Sequence, residues 1–274
     1  MTETAASSID DVAAYWNRRP CNIRHSVKEV GSREYFDEVE ARKYFVEPHI
    51  PDFADFARWK GKRVLEVGCG LGTDAVNFAR AGADYVGLDL SEVSLDLARR
   101  RFKVFGLDGR FQIQNAETLS ECVEPESFDL VYSFGVIHHT PHPDAVIREI
   151  RKVIRADGEL RMMLYAANSW KAFMIEAGYD QPEAQSGCPI AFTYTQPQVR
   201  DLLAQTGFEA TEITQDHIFP YIPEKYVQYQ YEPQPWWQAM PEPMFRSLEK
   251  QLGWHMLIKA RPGGAHAGRA PSGA

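Results

Sequence analysis

The sequence is poor in cysteine, has no excess of basic residues and contains no long apolar segment. Its 4 cysteines are widely spaced, without a C-x-x-C pair: Cys21, Cys69, Cys122 and Cys188. This spacing predicts reduced thiols, and neither a disulfide framework nor a zinc site. Lys and Arg total 30 against 38 Asp and Glu, which gives a formal net charge of −8. General nucleic-acid binding needs a basic face that displaces counterions, so no nucleic-acid partner is expected.

No apolar run approaches the length needed to cross a membrane, and the first residues show no signal-peptide pattern. We therefore expect a soluble, cytoplasmic protein without a membrane partner. The chain has 274 residues, of which 44% are hydrophobic and 25% charged. These values predict one large globular domain with insertions.

The most informative stretch is Arg63–Asp74, with the sequence RVLEVGCGLGTD. Its apolar start predicts a short buried strand, and the residues that follow the glycines keep helical spacing until Gly82. A second strand, Tyr85–Leu88, ends at Asp89, and Ser91 is placed to cap the next helix. Strand, glycine turn, helix, strand and acid form the first half of a Rossmann-type nucleotide site.

The glycine spacing distinguishes two ligand classes. A dinucleotide site has the pattern G-x-G-x-x-G, but Thr73 occupies its third glycine position and a glycine comes one residue earlier, at Gly72. The pattern E-x-G-x-G-x-G from Glu66 resembles motif I of class I S-adenosylmethionine-dependent methyltransferases, of the menaquinone/ubiquinone-biosynthesis type. The resemblance covers roughly residues 62–167 and disfavours a nicotinamide enzyme. It implies S-adenosyl-L-methionine as the cofactor, with Asp89 accepting hydrogen bonds from the ribose hydroxyls.

Two later segments continue the resemblance. The third strand, Gly109–Gln114, runs into NAETL, which is similar to the family's adenine-contacting region, although Asn115 stands where an aspartate is common. The fourth strand, Phe128–Ser133, leads into FGVIHHTPHP, which resembles the loop that faces the sulfonium methyl group. The resemblance implies these cofactor-binding residues: Glu66, Gly68, Cys69, Gly70, Gly72, Asp74, Asp89, Leu90, Asn115, Ala116, Glu117, Ser133 and Gly135.

Strand and helix patterns alternate along the chain, which predicts an α/β fold with a parallel sheet and helices on both faces. The resemblance implies a Rossmann-like, seven-stranded, mostly parallel sheet. Its last two strands, Phe208–Ile218 and Gly253–Lys259, would form a terminal antiparallel pair. Within the helix Glu92–Phe105, the run Arg99–Arg101 is interpreted as a solvated face.

The predicted organisation has three parts: an N-terminal lid with helices over residues 1–60, a methyltransferase core over 61–260 and a disordered tail over 261–274. A disordered leader is also expected over residues 1–8. Two insertions, 166–194 and 219–252, interrupt the core, and the second is rich in aromatic residues and proline. We interpret both as a cap over an acceptor pocket. The alternative is the interface of a homodimer, since interfaces are also rich in aromatic residues.

The N-terminal segment is locally basic and aromatic, and two interpretations are open. It is either a solvated helix whose aromatic side chains dock on the core, or a lid whose arginines bind an anionic acceptor. The rings of the second insertion could instead enclose a cationic amine. The arginines favour an anionic acceptor, and both features are compatible with a zwitterionic, amino-acid-like one, so we expect a small polar acceptor, anionic or zwitterionic. The substrate-binding candidates are Tyr15, Arg18, Arg19, Arg24, Tyr165 and Tyr229.

Methyl transfer to a hydroxyl or an amine requires a base, and histidine is the usual one at neutral pH. His138 and His139 follow the fourth strand, and His217 is a second-line candidate; alternatively, the first two only pack beside the prolines of their loop. Those prolines also make a helical metal pair from His138 and His142 improbable, so no metal site is predicted. The isolated histidines are expected to be structural: His25, His49 and His255.

The sequence therefore predicts a methyltransferase that moves a methyl group to an oxygen or nitrogen atom of a small polar metabolite. Alternatives are an S-adenosylmethionine-dependent enzyme with a sulfur or carbon acceptor or with non-methylating chemistry, and a non-catalytic cofactor-binding protein. An acceptor bound beside the cofactor would distinguish them.

Overall fold

The computed structural model describes residues 7–179 and 187–263. The helices are α1 (Ile9–Arg18), α2 (Arg33–Val46), α3 (Ile50–Ala54), α4 (Thr73–Arg80), α5 (Glu92–Phe105), α6 (Pro143–Val153), α7 (Trp170–Glu176), α8 (Gln196–Gln205), α9 (Pro223–Tyr226), α10 (Pro235–Gln238) and α11 (Glu242–Leu252). The strands are β1 (Arg63–Val67), β2 (Asp84–Asp89), β3 (Arg110–Ile113), β4 (Phe128–Phe134), β5 (Ile154–Ala166), β6 (Thr193–Tyr194), β7 (Phe208–Asp216) and β8 (His255–Pro262). Three 3-10 turns complete the list: Phe56–Trp59, Ala116–Glu121 and Ile137–His139. Within the two described ranges, every helix is too short or too polar to cross a bilayer.

The strands form one sheet in the order β3-β2-β1-β4-β5-β8-β7, and β6 pairs with β5 beside this path. Strand β8 runs antiparallel to both of its neighbours, whereas the other pairs are parallel. The predicted Rossmann-like fold, with seven strands in one path and an antiparallel end, is confirmed. Strand β6 is an eighth strand of only two residues, too short to give a sequence pattern.

Alternate side chains along the strands pack on opposite faces of the sheet. Leu65 and Val131 belong to a buried cluster with the apolar residues of α6 and α8. Val64 and Leu130 belong to a second cluster with those of α4 and α5. Because neighbouring residues of a strand point to opposite faces, this division places helices on both sides of the sheet.

The last strand is longer than predicted. Arg261 pairs with Glu209 and Pro262 with Phe208, so the ladder continues into the first two residues of the predicted disordered tail. The remainder of that prediction, residues 264–274, lies outside the described residues. The same holds for residues 1–6 of the predicted leader, whereas Ser8 caps α1 by accepting a hydrogen bond from the Asp11 backbone N–H.

The interpretation of Arg99–Arg101 as a solvated face is wrong for Arg101, which is fully buried. Its guanidinium donates to Thr73 Oγ1 at 2.7 Å, to the Phe36 carbonyl at 3.0 Å and to Glu40 Oε2 at 3.0 Å. These acceptors belong to α2 and α4. Arg101 therefore joins three helices through partners that lie far away in the sequence.

The aromatic rings of the second insertion enclose a residue of the chain itself. The guanidinium carbon of Arg42 lies 4.4 Å from the ring centre of Tyr226 and 4.1 Å from that of Tyr229. Arg42 also donates to the Tyr226 carbonyl at 2.9 Å. Cation–π attraction and this hydrogen bond anchor the insertion to α2. The cation held by these rings is therefore Arg42 and not an acceptor amine.

Candidate functional site

The glycine loop between β1 and α4 opens onto a cavity. Gly68, Gly70 and Gly72 all adopt positive φ, at 77°, 52° and 73°. A Cβ atom at Gly68 would lie 2.2 Å from a methyl carbon of Val136, and one at Gly72 would lie 3.2 Å from Ala98 Cβ. At Gly70 a Cβ atom would meet no atom within 4 Å. Packing thus requires the first and third glycines, whereas the second presents bare backbone to open space.

Asp89, at the end of β2, holds this loop. Its Oδ2 accepts the Gly70 backbone N–H at 2.8 Å, and its Oδ1 accepts the Ser91 N–H at 2.8 Å. Burial raises the pKa of Asp89, although these backbone hydrogen bonds lower it in part. The carboxylate also lines the cavity, where its remaining lone pairs can accept hydrogen bonds.

The glycine-loop cavity lies at the carboxyl ends of β1, β2 and β4. It contains 7 of the predicted cofactor-binding residues: Gly68, Gly70, Asp89, Leu90, Asn115, Ala116 and Gly135. Helix α1 covers it with Ile9, Val12 and Trp16. Ligands of open α/β sheets bind at this edge, where parallel strands end.

Two of the predicted acids lie beneath the loop and not in the lining. Glu66 accepts a hydrogen bond from the Tyr85 hydroxyl at 2.6 Å, and burial raises its pKa well above the ordinary value. Asp74 forms an ion pair with Lys43 at 2.8 Å and accepts from the Tyr132 hydroxyl at 3.1 Å. Both carboxyl groups are buried among polar partners that support the loop.

Four other predicted residues also lie outside the lining of the cavity, and each is held by contacts elsewhere in the fold. Glu117 accepts the His142 backbone N–H at 2.8 Å, and the Ser133 hydroxyl donates to the Val67 carbonyl at 3.1 Å. The remaining two are Cys69, which is buried, and Gly72, which faces α5. Asn115 does line the cavity, and its side-chain oxygen also accepts the Glu117 N–H at 2.9 Å.

A second cavity, the histidine cavity, adjoins the first. Its lining comes from α1 and the segment that follows it, from α2, β4, β5 and α7, and from the adjoining ends of β7 and β8. The lining residues are Tyr15, Trp16, Arg19, Pro20, Cys21, Asn22, Ile23, Arg24, His25, Lys43, Glu47, Phe134, Gly135, Met163, Tyr165, Lys171, His217, Trp254 and His255. Four residues line both cavities: Trp16, Cys21, Phe134 and Gly135. The two spaces therefore meet beside Gly135.

Four of the predicted substrate-binding residues line the histidine cavity: Tyr15, Arg19, Arg24 and Tyr165. Arg18 is exposed and lies outside the lining. Tyr229 also lies outside it, but its hydroxyl donates to the Arg24 carbonyl at 2.7 Å. Tyr229 therefore supports the segment that covers the cavity. Of the two insertions, the described residues contribute only Lys171 to the lining.

The three predicted bases occupy different places. His217 lines the histidine cavity, and His139 lines the glycine-loop cavity with Nδ1 2.6 Å from the Ile190 carbonyl. Burial lowers the pKa of His139 to about 4. His138 lines neither cavity, because its ring packs 3.8 Å from the ring centre of Tyr165. Burial, followed by the neighbouring His139, lowers the pKa of His138 well below its ordinary value.

His255, which is expected from the sequence to be structural, also lines the histidine cavity, beside Glu47. His255 begins β8, and its register partner Asp216 ends β7 directly before His217. The antiparallel pairing of the last two strands brings these histidines together. A strand pairing drawn from the sequence would have placed them side by side, whereas nothing local indicates that Glu47 joins them.

A family model described as "Methyltransferase domain" matches residues 59–216. Curated relatives include a ubiquinone biosynthesis O-methyltransferase of Neisseria meningitidis serogroup A, 32% identical in an alignment of 158 positions that covers 48% of this chain and 66% of that protein. The protein of the same name from Hahella chejuensis is 37% identical over 116 residues, covering 42% of this chain and 48% of the relative. The chain thus spans between about half and two thirds of the length of these relatives.

Solved structures share the fold. The magnesium protoporphyrin IX methyltransferase from Synechocystis PCC 6803 with bound SAH matches with a TM-score of 0.61 and 16% identity, over 93% of this chain and 100% of the other. A putative methyltransferase from Bacillus halodurans matches with a TM-score of 0.59 and 22% identity, over 79% and 100%. At such identities these likenesses show the fold alone.

The segment matched by the family model contains the glycine loop, Asp89 and Gly135. The resemblance inferred from these motifs is confirmed. The chain therefore belongs to the S-adenosylmethionine-dependent methyltransferase family, through a methyltransferase domain that spans residues 59–216.

Proposed function

We propose that the protein transfers a methyl group from S-adenosylmethionine to an oxygen or nitrogen atom of a small polar acceptor. The observation that carries this proposal is the junction of two cavities beside Gly135, one lined by the family's glycine loop and one by charged side chains. In-line displacement needs the donor and acceptor on opposite sides of the transferred carbon, and adjoining cavities allow that alignment.

The residues of the glycine-loop cavity fit the cofactor. Gly70 offers bare backbone and open space for an amino-acid moiety and ribose, and Asp89 offers a carboxylate to the ribose hydroxyls. Asn115 and Ala116 line the same cavity, and the resemblance implies that they contact adenine. Glu66 and Asp74 act from beneath, by holding the loop. When bound, S-adenosylmethionine supplies an activated methyl group, so the protein mainly aligns the acceptor and excludes water.

The charges of the histidine cavity favour an anionic or zwitterionic acceptor. Four basic side chains line it, from Arg19, Arg24, Lys43 and Lys171, against one carboxylate, from Glu47. Because Lys43 is paired with Asp74, the basic excess comes from the other three. Arginine in particular suits bidentate binding of a carboxylate or a phosphate. The names of the curated relatives favour oxygen as the methylated atom.

Among the predicted bases, His217 is best placed to accept the proton of a hydroxyl or ammonium group, because it lines the histidine cavity. His139 reaches the glycine-loop cavity only, and His138 reaches neither.

A cytoplasmic location and a homodimer complete the proposal. Cell fractionation checks the location, and light scattering of the purified chain checks the oligomeric state.

Ligand-induced thermal stabilisation tests the proposal. S-adenosylhomocysteine at about 100 times its dissociation constant should stabilise the protein by about 2.7 kcal/mol, and NAD should not. Methyl-labelled S-adenosylmethionine is then incubated with a panel of small hydroxy and amino acids. Label in a product supports the proposal; absence of S-adenosylhomocysteine binding, or stabilisation by NAD, contradicts it. Cofactor consumption without labelled product would favour different chemistry on the same cofactor.

A further inference from the structure

Three potential metal ligands converge in the histidine cavity. Glu47 follows α2, His217 follows β7 and His255 begins β8. Each offers one ligand atom, and the three atoms lie within 4.8 Å of one another. Both histidines are buried, and all three residues line the cavity. Two imidazoles with one carboxylate are a common ligand set for divalent transition metals in proteins.

Two further residues extend this cluster into a chain of polar contacts. His49 Nε2 lies 3.0 Å from His255 Nδ1, and His49 Nδ1 lies 3.9 Å from Asp216 Oδ1. At the other end, His255 Nε2 lies 3.6 Å from Glu47 Oε1. Two carboxylates therefore flank two imidazoles, with three junctions between the four groups.

Of these three contacts, the one between the two imidazoles is short enough for a hydrogen bond, so one ring donates in it and the other accepts. If His255 donates from Nδ1, its Nε2 carries a lone pair that faces the Glu47 carboxylate, 3.6 Å away. A cation at that point would bind both groups. His49 would then accept the other ring N–H of His255, as the outer partners of metal-ligating histidines typically do.

The backbone at His217 is held in an unusual conformation. This residue has φ of 73°, in the left-handed region that non-glycine residues rarely adopt. Its N–H donates to Asp216 Oδ1 at 2.7 Å, and its carbonyl accepts the Trp254 N–H at 2.8 Å. Its ring stacks on that of His255 with centres 4.6 Å apart. The two rings are thus positioned together at the wall of the cavity.

We propose that Glu47, His217 and His255 bind a divalent transition metal ion such as Zn²⁺. His49, whose Nε2 lies 3.0 Å from His255 Nδ1, orients His255 from behind. The ligand atoms of a tetrahedral zinc site lie roughly 3.4 Å apart, so small side-chain rotations complete the set. Three protein ligands leave a fourth position that faces the cavity. There the ion takes an oxygen donor of the acceptor, such as a hydroxyl or carboxylate. A bound ion would itself ease the loss of a hydroxyl proton, so His217 serves as a ligand and not as the base whenever the ion is present. This role of the ion rests on the proposed function, whereas metal binding itself does not.

Metal binding to the full chain tests the proposal. After treatment with EDTA and dialysis, Zn²⁺ is titrated against a chromophoric chelator, and bound zinc is counted by mass spectrometry. We expect one zinc per chain and a dissociation constant in the micromolar range or below. Glu47→Gln, which keeps the side-chain shape, should weaken binding at least tenfold. His217→Gly, which suits the positive φ, should weaken it by more.

Two matched variants serve as controls. His25→Gln removes another histidine of the same cavity, and Cys21→Ser removes its thiol; both should keep the wild-type zinc affinity. Less than 0.1 zinc per chain in the wild type would overturn the proposal, as would equal affinities in Glu47→Gln and His25→Gln. S-adenosylhomocysteine binding is measured on every variant. This measurement checks the fold and the proposed cofactor site independently of zinc. If zinc binding alone is absent, the metal proposal has failed; if S-adenosylhomocysteine binding alone is absent, the proposed function has failed.

Discussion

The carboxylate of Asp89 accepts the backbone N–H of Gly70 at 2.8 Å. This contact joins the end of β2 to the loop that follows β1, and both residues line the glycine-loop cavity. One side chain thus fixes the loop and faces the space where a cofactor would lie. Its loss should affect binding through both roles.

Asp89→Asn should weaken S-adenosylhomocysteine binding about 10- to 100-fold. An amide offers one acceptor oxygen and turns two N–H groups toward donors, so it loses charge-assisted hydrogen bonds of about 1.5–3 kcal/mol. Isothermal titration calorimetry measures the change. Asp96→Asn is the matched control, because Asp96 lies exposed on α5. Wild-type affinity in Asp89→Asn would refute the proposed role.

Alanine at Gly70 and at Gly68 should separate binding from stability. At Gly70 the new Cβ atom meets no atom within 4 Å, so we expect a stable fold, a strain of about 1 kcal/mol and weak S-adenosylhomocysteine binding. At Gly68 it would lie 2.2 Å from a Val136 methyl carbon, so the fold itself should lose about 2 kcal/mol or more. Chemical unfolding and ligand titration of both variants measure the difference. Equal stability of the two variants would contradict the close packing of Val136 on Gly68 and the open space at Gly70.

The sequence predicted those parts of the site that depend on local pattern. The glycine spacing and the acid after the second strand placed Gly70 and Asp89 in one cavity, because parallel strands end at the same edge of a sheet. The helices with regular apolar spacing were predicted as well, because that spacing is itself a local pattern of the sequence.

Contacts between distant segments were not predictable. Arg101 looks like part of a charged helix face until its partners on α2 and α4 are known. Arg42 likewise carries no sign of the rings that enclose it. Glu47 meets His255 only after the sheet has formed and α2 has packed beside it. A single sequence gives periodicity but not these pairings.

Arg19→Gln should raise the KM for an anionic acceptor about tenfold, with S-adenosylhomocysteine affinity unchanged. Arg19 lines the histidine cavity and not the glycine-loop cavity, so we expect its charge to act on the acceptor and not on the cofactor. A charged hydrogen bond of about 1.5 kcal/mol corresponds to this factor. Arg18→Gln provides the control, since Arg18 is exposed and outside the lining. Equal KM values for the two variants would exclude an acceptor role for Arg19.

The stability of the protein should fall as the pH drops from about 6.5 toward 4. His138 and His139 are buried, and burial lowers the pKa of both, that of His139 to about 4. Below an unfolded-state pKa of about 6.5, the unfolded chain binds protons that the folded protein does not. Each such histidine therefore lowers the free energy of unfolding by up to about 1.4 kcal/mol per pH unit until the pH reaches its folded-state pKa.

His138→Phe isolates one of these histidines. Neither ring nitrogen of His138 has a hydrogen-bond partner among the described residues, and its ring packs on Tyr165, so phenylalanine keeps the packing. At pH 7.5 the variant should be at least as stable as the wild type, because two unsatisfied buried polar atoms are gone. Urea unfolding between pH 6.5 and pH 5 should then show a slope shallower by about 1.4 kcal/mol per pH unit. The same slope in both proteins would mean that His138 takes up its proton in the folded state, and that its surroundings are more polar than the packing of its ring indicates.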